Sequence, residues 1–508
     1  MNYLILLPIL IPVIGGILLC CLPKSWLQAK EGSKHPYRKV HTLFSILMVL
    51  SACSSILVLS DGLLALIKGV PTVKLEPLVL FNLLDNIPVM FYIDEVGTIF
   101  AWVATVAFVC AGAFSFRYMK GEKNYYGFFL MTYGVLQGLA FAGNLVTMYL
   151  FFEMVTLLSF PLVMQTKTKE SIMAALKYIF YSLAGAYMGL FAIYFLYQNT
   201  HTLTFTPGGT LDPVKVAEHP TLILVAVMFA VIGFGVKAGM FPMHAWLPTA
   251  HPVAPAPASA VLSGVIVKAG VLALIRVVYY IVGPAFLQGT WVQKTWIILA
   301  LITVFMGSLL AYREKVLKKR LAYSTVSQIS YILLGLAVFE PEALTGSVLH
   351  VVYHAFIKTA LFLCAGAFIH ETGKERVDEL TGIGKKMPIT TWGFTIASLG
   401  LIGIPPTGGF ISKWYLATGA LASETGAFRY LIPAILLASA LLTAGYLLPI
   451  PIKGFFPGAD YDYENNPRKE ASAWMWIPIL VLVALSFIGG VLPDLFADYI
   501  LWIPAKVF

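Results

Sequence analysis

Apolar runs separated by short polar connections recur from one end of the chain to the other. Most are about 20 residues or longer, the length at which an α-helix crosses ~30 Å of hydrocarbon. The pattern predicts about 14 transmembrane helices, at 3–21, 40–60, 88–114, 125–143, 145–165, 171–197, 221–241, 256–281, 291–311, 321–339, 344–370, 389–422, 428–449 and 473–497. Gly143 and Asn144 alone part the fourth run from the fifth. Strands of a membrane barrel alternate every second residue over ~10-residue segments, and no such alternation is read here. The first run, Tyr3 to Cys21, lacks a basic leading region and reads as a retained span, not a cleaved signal. The fold class is all-α, a polytopic membrane protein.

Two runs are interrupted at comparable places. The seventh holds GFGVKAG before FPMHAWLPTAHPVAPAP, and the twelfth holds GLIGIPPTGGFISK. Proline removes a backbone donor and glycine permits irregular dihedrals, so both are expected to be broken helices. Within a bilayer, breaks persist only where protein or a watery cavity satisfies the freed backbone groups. Lys237 and Lys413, at the two breaks, are 176 residues apart, and Lys177 and His354 are 177 apart. This offset predicts two five-helix repeats, helices 4–8 and 9–13. Five is odd, so the second copy enters from the opposite side, an inverted repeat of the transporter kind. The resulting division is 1–122 for helices 1–3, 123–285 and 286–452 for the two repeats, and 453–508 for a loop and helix 14.

Composition agrees: 59% of residues are hydrophobic and 12% charged, against the ~45–50% apolar content of soluble domains. With the N-terminus placed outside, 22 of the 34 basic residues fall in loops assigned to the cytoplasm, among them Lys24, Lys30, Lys34 and the cluster Lys318, Lys319 and Arg320. Six fall in outer loops and the C-terminus, including Lys74, and six lie within spans. Basic loops resist translocation, so the alternation predicts both termini outside. The net charge of +9 is then topology, and nucleic acid is not needed as a partner. Connections at 60–87, 198–220 and 450–472 are too short to fold around cores of their own. The five cysteines show no ligand spacing and read as buried small hydrophobes. With no metal set, dinucleotide fingerprint or P-loop, no cofactor and no catalytic site are expected in this chain.

Chemistry is left to ionisable residues deep in the runs: Glu153, Lys237, Lys268, His350, His354, Lys358 and Lys413. A charge at the bilayer centre costs ~2.5–3.5 kcal/mol even on lenient scales, and such residues face other helices or internal water. Desolvation drives a buried lysine to release its proton. A carboxylate ~4 Å away at an effective dielectric near 20 returns ~4 kcal/mol. Motion of Glu153 relative to Lys237 is thus a proton switch. His350, His354 and Lys358, spaced i, i+4, i+8, share a helix face, and imidazole suits a relay. Lys177, His244 and His251 are candidate intake or accessory groups. Arg276 reads as an interfacial anchor, Asp94 and Glu95 as helix caps, and the Lys318–Arg320 cluster as a topological signal without chemistry.

The residues FFEMVTLLSFPL, GFGVKAGMFPMHAWLPTAHPVAPAPASAVLSGVIVKAGV, HAFIKTALFLCAGA and GIPPTGGFISKW resemble those of the antiporter-like proton-translocating subunits. That family is shared by respiratory complex I, Mrp-type sodium/proton antiporters, and archaeal membrane-bound hydrogenases and sulfane sulfur reductases. The resemblance spans roughly residues 90–500. It implies a mid-membrane chain of protonatable groups fed by a half-channel from each side, with Glu153 paired to Lys237. Lys268, His354 and Lys358 follow, and Lys413 is the terminal group. One complex I subunit class has glutamate at that last position. Lysine here places the chain nearer the Mrp D-type and hydrogenase H-type subunits or the other complex I members.

The expected function is a proton-translocating subunit of a multi-subunit respiratory complex in a prokaryotic plasma membrane. It would be driven by a redox module and accompanied by Mrp-like small subunits. Any oxidoreductase activity belongs to the assembly. The alternatives are the D-type subunit of a stand-alone sodium/proton antiporter and an antiporter-like subunit of complex I. A sodium site wants oxygen ligands, whereas this axis is mostly lysine and histidine. A passive scaffold has no need of so many buried bases.

Overall fold

Helices occupy the apolar runs of the sequence in the structure, a computed structural model that describes residues 2–23, 26, 37–68, 76–84, 87–459, 461–462 and 467–508. In chain order they are α1 (Leu7–Cys21), α2 (Arg38–Lys68), α3 (Glu95–Tyr118), α4 (Lys123–Ala140), α5 (Leu145–Val163), α6 (Lys169–Asn199) and α7 (Pro220–Ala238). Then come α8 (Ala256–Val282), α9 (Trp291–Arg313), α10 (Leu317–Val338), α11 (Pro341–Thr372), α12 in two arms (Pro388–Ile402 and Gly408–Ala422), α13 (Phe428–Leu447) and α14 (Ala473–Val491). Basic residues Lys24, Lys30, Lys34 and Lys74 of the topology argument lie outside the described residues.

Among the described residues, 12 helices are long and apolar enough to cross a membrane. The other two predicted spans differ for separate reasons. α4 has only 18 residues and includes Lys123, Asn124, Thr132 and Gln137. α12 is divided by its break, so that its first arm is a shorter apolar helix.

Side-chain caps set several starts. Asp94 accepts from the Gly97 amide at 2.8 Å, and Asn144 from that of Thr147 at 2.8 Å. The Asn144 cap converts the thin boundary between the fourth and fifth runs into a helix start.

Two edges depart from expectation. Helix α3 begins at Glu95, not near 88, because the preceding residues form an antiparallel hairpin of β1 (Leu78–Leu84) and β2 (Ile87–Phe91), with Leu78 opposite Phe91. The IPVMF segment is β-branched and aromatic, and its Pro88 has no N–H to extend a helix. The last span ends at Val491, short of 497, and the chain continues as short helices Asp494–Ile500 and Trp502–Val507. Pro493 disfavours helical geometry at Leu492.

At the centre stand α8 and α11, whose most apolar windows are wholly buried, with α10 nearly so. α8 is irregular, with π-helical turns at Leu262–Ile266 and Arg276–Val282 on either side of Lys268. The two broken segments share a plan. Gly239 ends α7 and Gly403 ends the first arm of α12, each left-handed with φ of 77° and 89°, a conformation glycine adopts without a Cβ penalty. Three residues on, each carries a cis X–Pro bond, at Pro242 and Pro406.

Candidate buried proton axis

Lys237 occupies the last turn of α7, where Gly185 of α6 and Gly233 of α7 cross. A Cβ on Gly185 would lie 2.5 Å from the Gly233 carbonyl oxygen, so the crossing admits only hydrogen. That approach brings Tyr178 of α6 over the lysine. The Lys237 ammonium donates to Thr156 Oγ1 of α5 at 2.9 Å and to the Tyr178 hydroxyl, and lies 4.5 Å from the centre of that ring. The Tyr178 hydroxyl also pairs with Ser159 Oγ at 2.7 Å. Trp246, from the connection after α7, packs at a tilt against Tyr178 with ring centres 4.7 Å apart and donates its indole N–H to the Val236 carbonyl at 2.9 Å.

Glu153 lies one turn before Thr156 on α5 and is half-buried, its Oε1 without a hydrogen-bond partner. Among the described residues no ion pair joins it to Lys237; the lysine is held by hydroxyls.

Lys268 follows at the junction of the π-helical and regular parts of α8. It donates to the Ser263 carbonyl at 3.0 Å and stands 2.8 Å from His354 Nδ1 on α11. The hydroxyls of Ser263 and Thr325 pair at 2.7 Å, which ties in α10. One turn along α11, His350 pairs through Nδ1 with Ser412 Oγ of the second α12 arm at 2.9 Å. Tyr331 of α10 stacks on His350, and its other neighbour is Lys413, whose Nζ lies 4.9 Å from the ring centre. Lys413 donates to the Leu401 and Ile402 carbonyls at 2.6 and 2.9 Å, neutralising the negative end of the first arm. Lys358 turns the other way, to the Leu321 carbonyl at 3.0 Å.

The structure thus gathers Lys268, His350, His354 and Lys413 around α10 and α11, with Lys237 and Glu153 on the neighbouring helices. Lys237, Lys268, His350, His354 and Lys358 are each at most 2% exposed. His350 Nε2, His354 Nε2 and both amide atoms of Gln328 are buried without partners. Such atoms are costly to leave dry, and they define polar positions along the axis.

Of the accessory candidates, His251 is wholly buried and stacked on Phe362 at 4.6 Å. Burial pushes its imidazole well below the usual range, and Lys318 and Lys358 push the same way. His244 is half-buried against Phe241, and burial lowers it too. Lys177 is half-exposed, 5.8 Å from the Tyr181 ring.

Three readings of the sequence are corrected. Arg276 is not an interfacial anchor: it is 2% exposed and grips Asp94 with both Nη atoms, the Nη2 contact at 2.7 Å, because the Asp94 cap offers a carboxylate inside the fold. Glu95 pairs with Lys506 at 2.6 Å. Lys318 is not merely topological. It is buried and donates to the Pro252 and Ala254 carbonyls at 2.7 and 2.6 Å, the backbone groups that proline-rich irregularity leaves free. Among the cysteines, Cys110 and Cys364 are buried, while Cys21 and Cys53 lie on the surface of their helices.

Sequence reasoning missed Thr156, Tyr178, Ser263, Ser412 and Gln328. Their signal was uncharged polarity inside apolar runs, which apolarity alone does not separate from ordinary helix packing.

A polytopic helical membrane protein with two broken segments and a buried row of bases is the class these features define. The chain matches the NADH:quinone oxidoreductase/Mrp antiporter, TM family over residues 142–443, and it belongs to that family of antiporter-like membrane subunits. NADH-quinone oxidoreductase subunit N of Desulforudis audaxviator is 37% identical over 413 residues, 79% of this chain and 80% of its own. The D-type subunit of the Na(+)/H(+) antiporter of Alkalihalophilus pseudofirmus is 29% identical over 517 residues, 100% of this chain and 97% of its own. In fold, a chain of the archaeal membrane-bound sulfane sulfur reductase superposes with a TM-score of 0.81 at 23% identity, covering 99% of this chain and 97% of that one. These relatives are subunits of larger membrane assemblies.

Proposed function

We propose that this chain moves protons as a subunit of a multi-subunit respiratory complex in a prokaryotic plasma membrane, driven by a redox partner module. Glu153 and Lys237 form the switch, Lys268 with His354 and His350 the central relay, Lys358 a side branch, and Lys413 the exit. Lys177, His244 and His251 serve intake. In this reading the chain crosses the membrane fourteen times with both termini outside, and the two five-helix units, 123–285 and 286–452, are inverted copies.

The observation that supports it most is the direct Lys268–His354 contact, two bases from different helices meeting in a wholly buried place. A base pair of this kind shares a proton and has no packing advantage over apolar side chains. The test is proton uptake by proteoliposomes holding the purified assembly, with Lys237→Ala and Glu153→Gln. Loss of uptake with assembly intact is expected, and undiminished uptake overturns the reading.

A second reading, the D-type subunit of a stand-alone sodium/proton antiporter, is favoured by the end-to-end match to such a subunit. A third is an antiporter-like subunit of complex I. Copurifying subunits decide: an iron–sulfur or nickel–iron protein supports the redox-driven assembly, and its absence supports the antiporter.

A further inference from the structure

We propose that Tyr178 is the positioning residue that holds Lys237 away from Glu153 and so sets how often the switch closes; this rests on the relay reading above. The Lys237 ammonium has two donor contacts, both to hydroxyls, Thr156 and Tyr178, and the ring face of Tyr178 lies beneath it. Glu153, Thr156 and Ser159 are spaced i, i+3, i+6 on α5, one face of the helix. The tyrosine hydroxyl reaches the last of them and the lysine the middle one. The carboxylate therefore stands one turn, ~5 Å, along the same face.

Tyr178 is fixed there twice. Its ring packs against Trp246 at a tilt of 33°, and the Trp246 indole is bonded to Val236, the residue before Lys237. A carboxylate is a stronger acceptor for an ammonium than a hydroxyl is, so an open pair needs a competitor built into the site. A phenol accepts from an ammonium and donates to a neutral amine. Tyr178 thus accompanies the lysine in both protonation states, whereas Glu153 attracts only the charged one.

The titratable groups facing Lys237 are Tyr178 from α6 and Glu153 from α5. α8 presents Gly270 to it, with Lys268 turned to His354, while Lys177 and His244 neighbour each other beyond the break.

The experiment uses the assembled complex in proteoliposomes. Tyr178→Phe keeps the ring and its contact with Trp246 and removes the hydroxyl. Proton transfer is expected to slow, with the alkaline limb of its pH profile displaced upward by about one unit, the size of exchanging a hydrogen bond for a charge contact. Thr156→Val, which removes the other hydroxyl, is expected to displace the limb in the same direction. Glu153→Asp keeps the charge but draws it back by one methylene, so Tyr178→Phe in that background is expected to displace the limb less than it does with Glu153 in place. A wild-type profile in both hydroxyl variants, at whatever rate, overturns the proposal, as does an undiminished displacement in the Glu153→Asp background. If Glu153→Gln and Lys237→Ala leave transfer intact, the relay reading fails first.

Discussion

Lys268 Nζ and His354 Nδ1 lie 2.8 Å apart, and among the described residues no carboxylate joins them. Two protonated bases cannot hold that distance in a low-dielectric site without strong repulsion. One atom of the two therefore donates and the other accepts, and a single proton shared between α8 and α11 satisfies both. Position along the axis is set by the Ser263 carbonyl behind the lysine and by Ser412 beyond the neighbouring His350.

His354→Ala removes the partner on α11 and leaves Lys268 with the Ser263 carbonyl. Proton transfer by the reconstituted assembly is expected to fall on the order of 10²-fold, the low end of losing a positioned acid–base group. His354→Gln restores a hydrogen-bonding side chain but no titrating one, so it is expected to recover stability without recovering rate. Uptake assays alongside thermal melts separate the two effects.

The Asp94–Arg276 pair fastens the start of α3 to the end of α8. Burial raises the Asp94 carboxyl, and the Arg276 guanidinium and the Gly97 amide more than offset it, leaving the group below its ordinary 3.8. A depressed carboxyl contributes stability that is complete above its unfolded value and is lost as pH falls through the folded one. Asp94→Asn is expected to cost ~3–5 kcal/mol at neutral pH, as when one partner of a buried pair is removed. The gap from wild type should narrow below pH 3.8. Thermal unfolding of the solubilised protein across that window measures it.

Most helices were legible in the sequence because an apolar run of membrane length has few alternatives. The two breaks were legible through Gly239, Pro242, Gly403 and Pro406, whose backbone preferences are local. The hairpin ahead of α3 was not, since Ile87–Phe91 is as apolar as a helix end and only tertiary pairing with Leu78–Leu84 decides it. At the site, Lys237, Lys268 and His354 stood out because charge in an apolar run is expensive. Tyr178 and Gln328 did not, because a buried hydroxyl or amide is common in helix packing. What each one touches depends on helix crossings that no single run contains.

One such crossing is testable by itself. Gly185 and Gly233 let α6 and α7 meet backbone to backbone, and this contact places Tyr178 on Lys237. Gly233→Ala is expected to force the helices apart at a cost of ~1–3 kcal/mol for overpacking. It should also reduce proton transfer although no ionisable group is changed. Gly289→Ala, where an added methyl meets nothing within 4 Å but the backbone φ of 76° is strained, controls for stability alone: a similar fall in melting temperature with transfer retained is expected.

Lys413 makes two sets of contacts that substitution can separate. Its ammonium caps the first arm of α12 through the Leu401 and Ile402 carbonyls, and it lies over Tyr331 beside the histidine pair. Glutamine keeps two amide donors for those carbonyls but cannot carry a proton, so Lys413→Gln is expected to retain fold and assembly and to lose proton transfer on the order of 10²-fold. Glutamate brings acceptors to a place already made of acceptors. Lys413→Glu is therefore expected to unfasten the break as well, lowering the melting temperature more than Lys413→Gln does. Arginine keeps the charge and the donors but holds its proton at all accessible pH, so Lys413→Arg should be as stable as wild type and nearly inactive. Equal transfer by wild type and Lys413→Arg would leave Lys413 as a helix cap and move the exit to another residue.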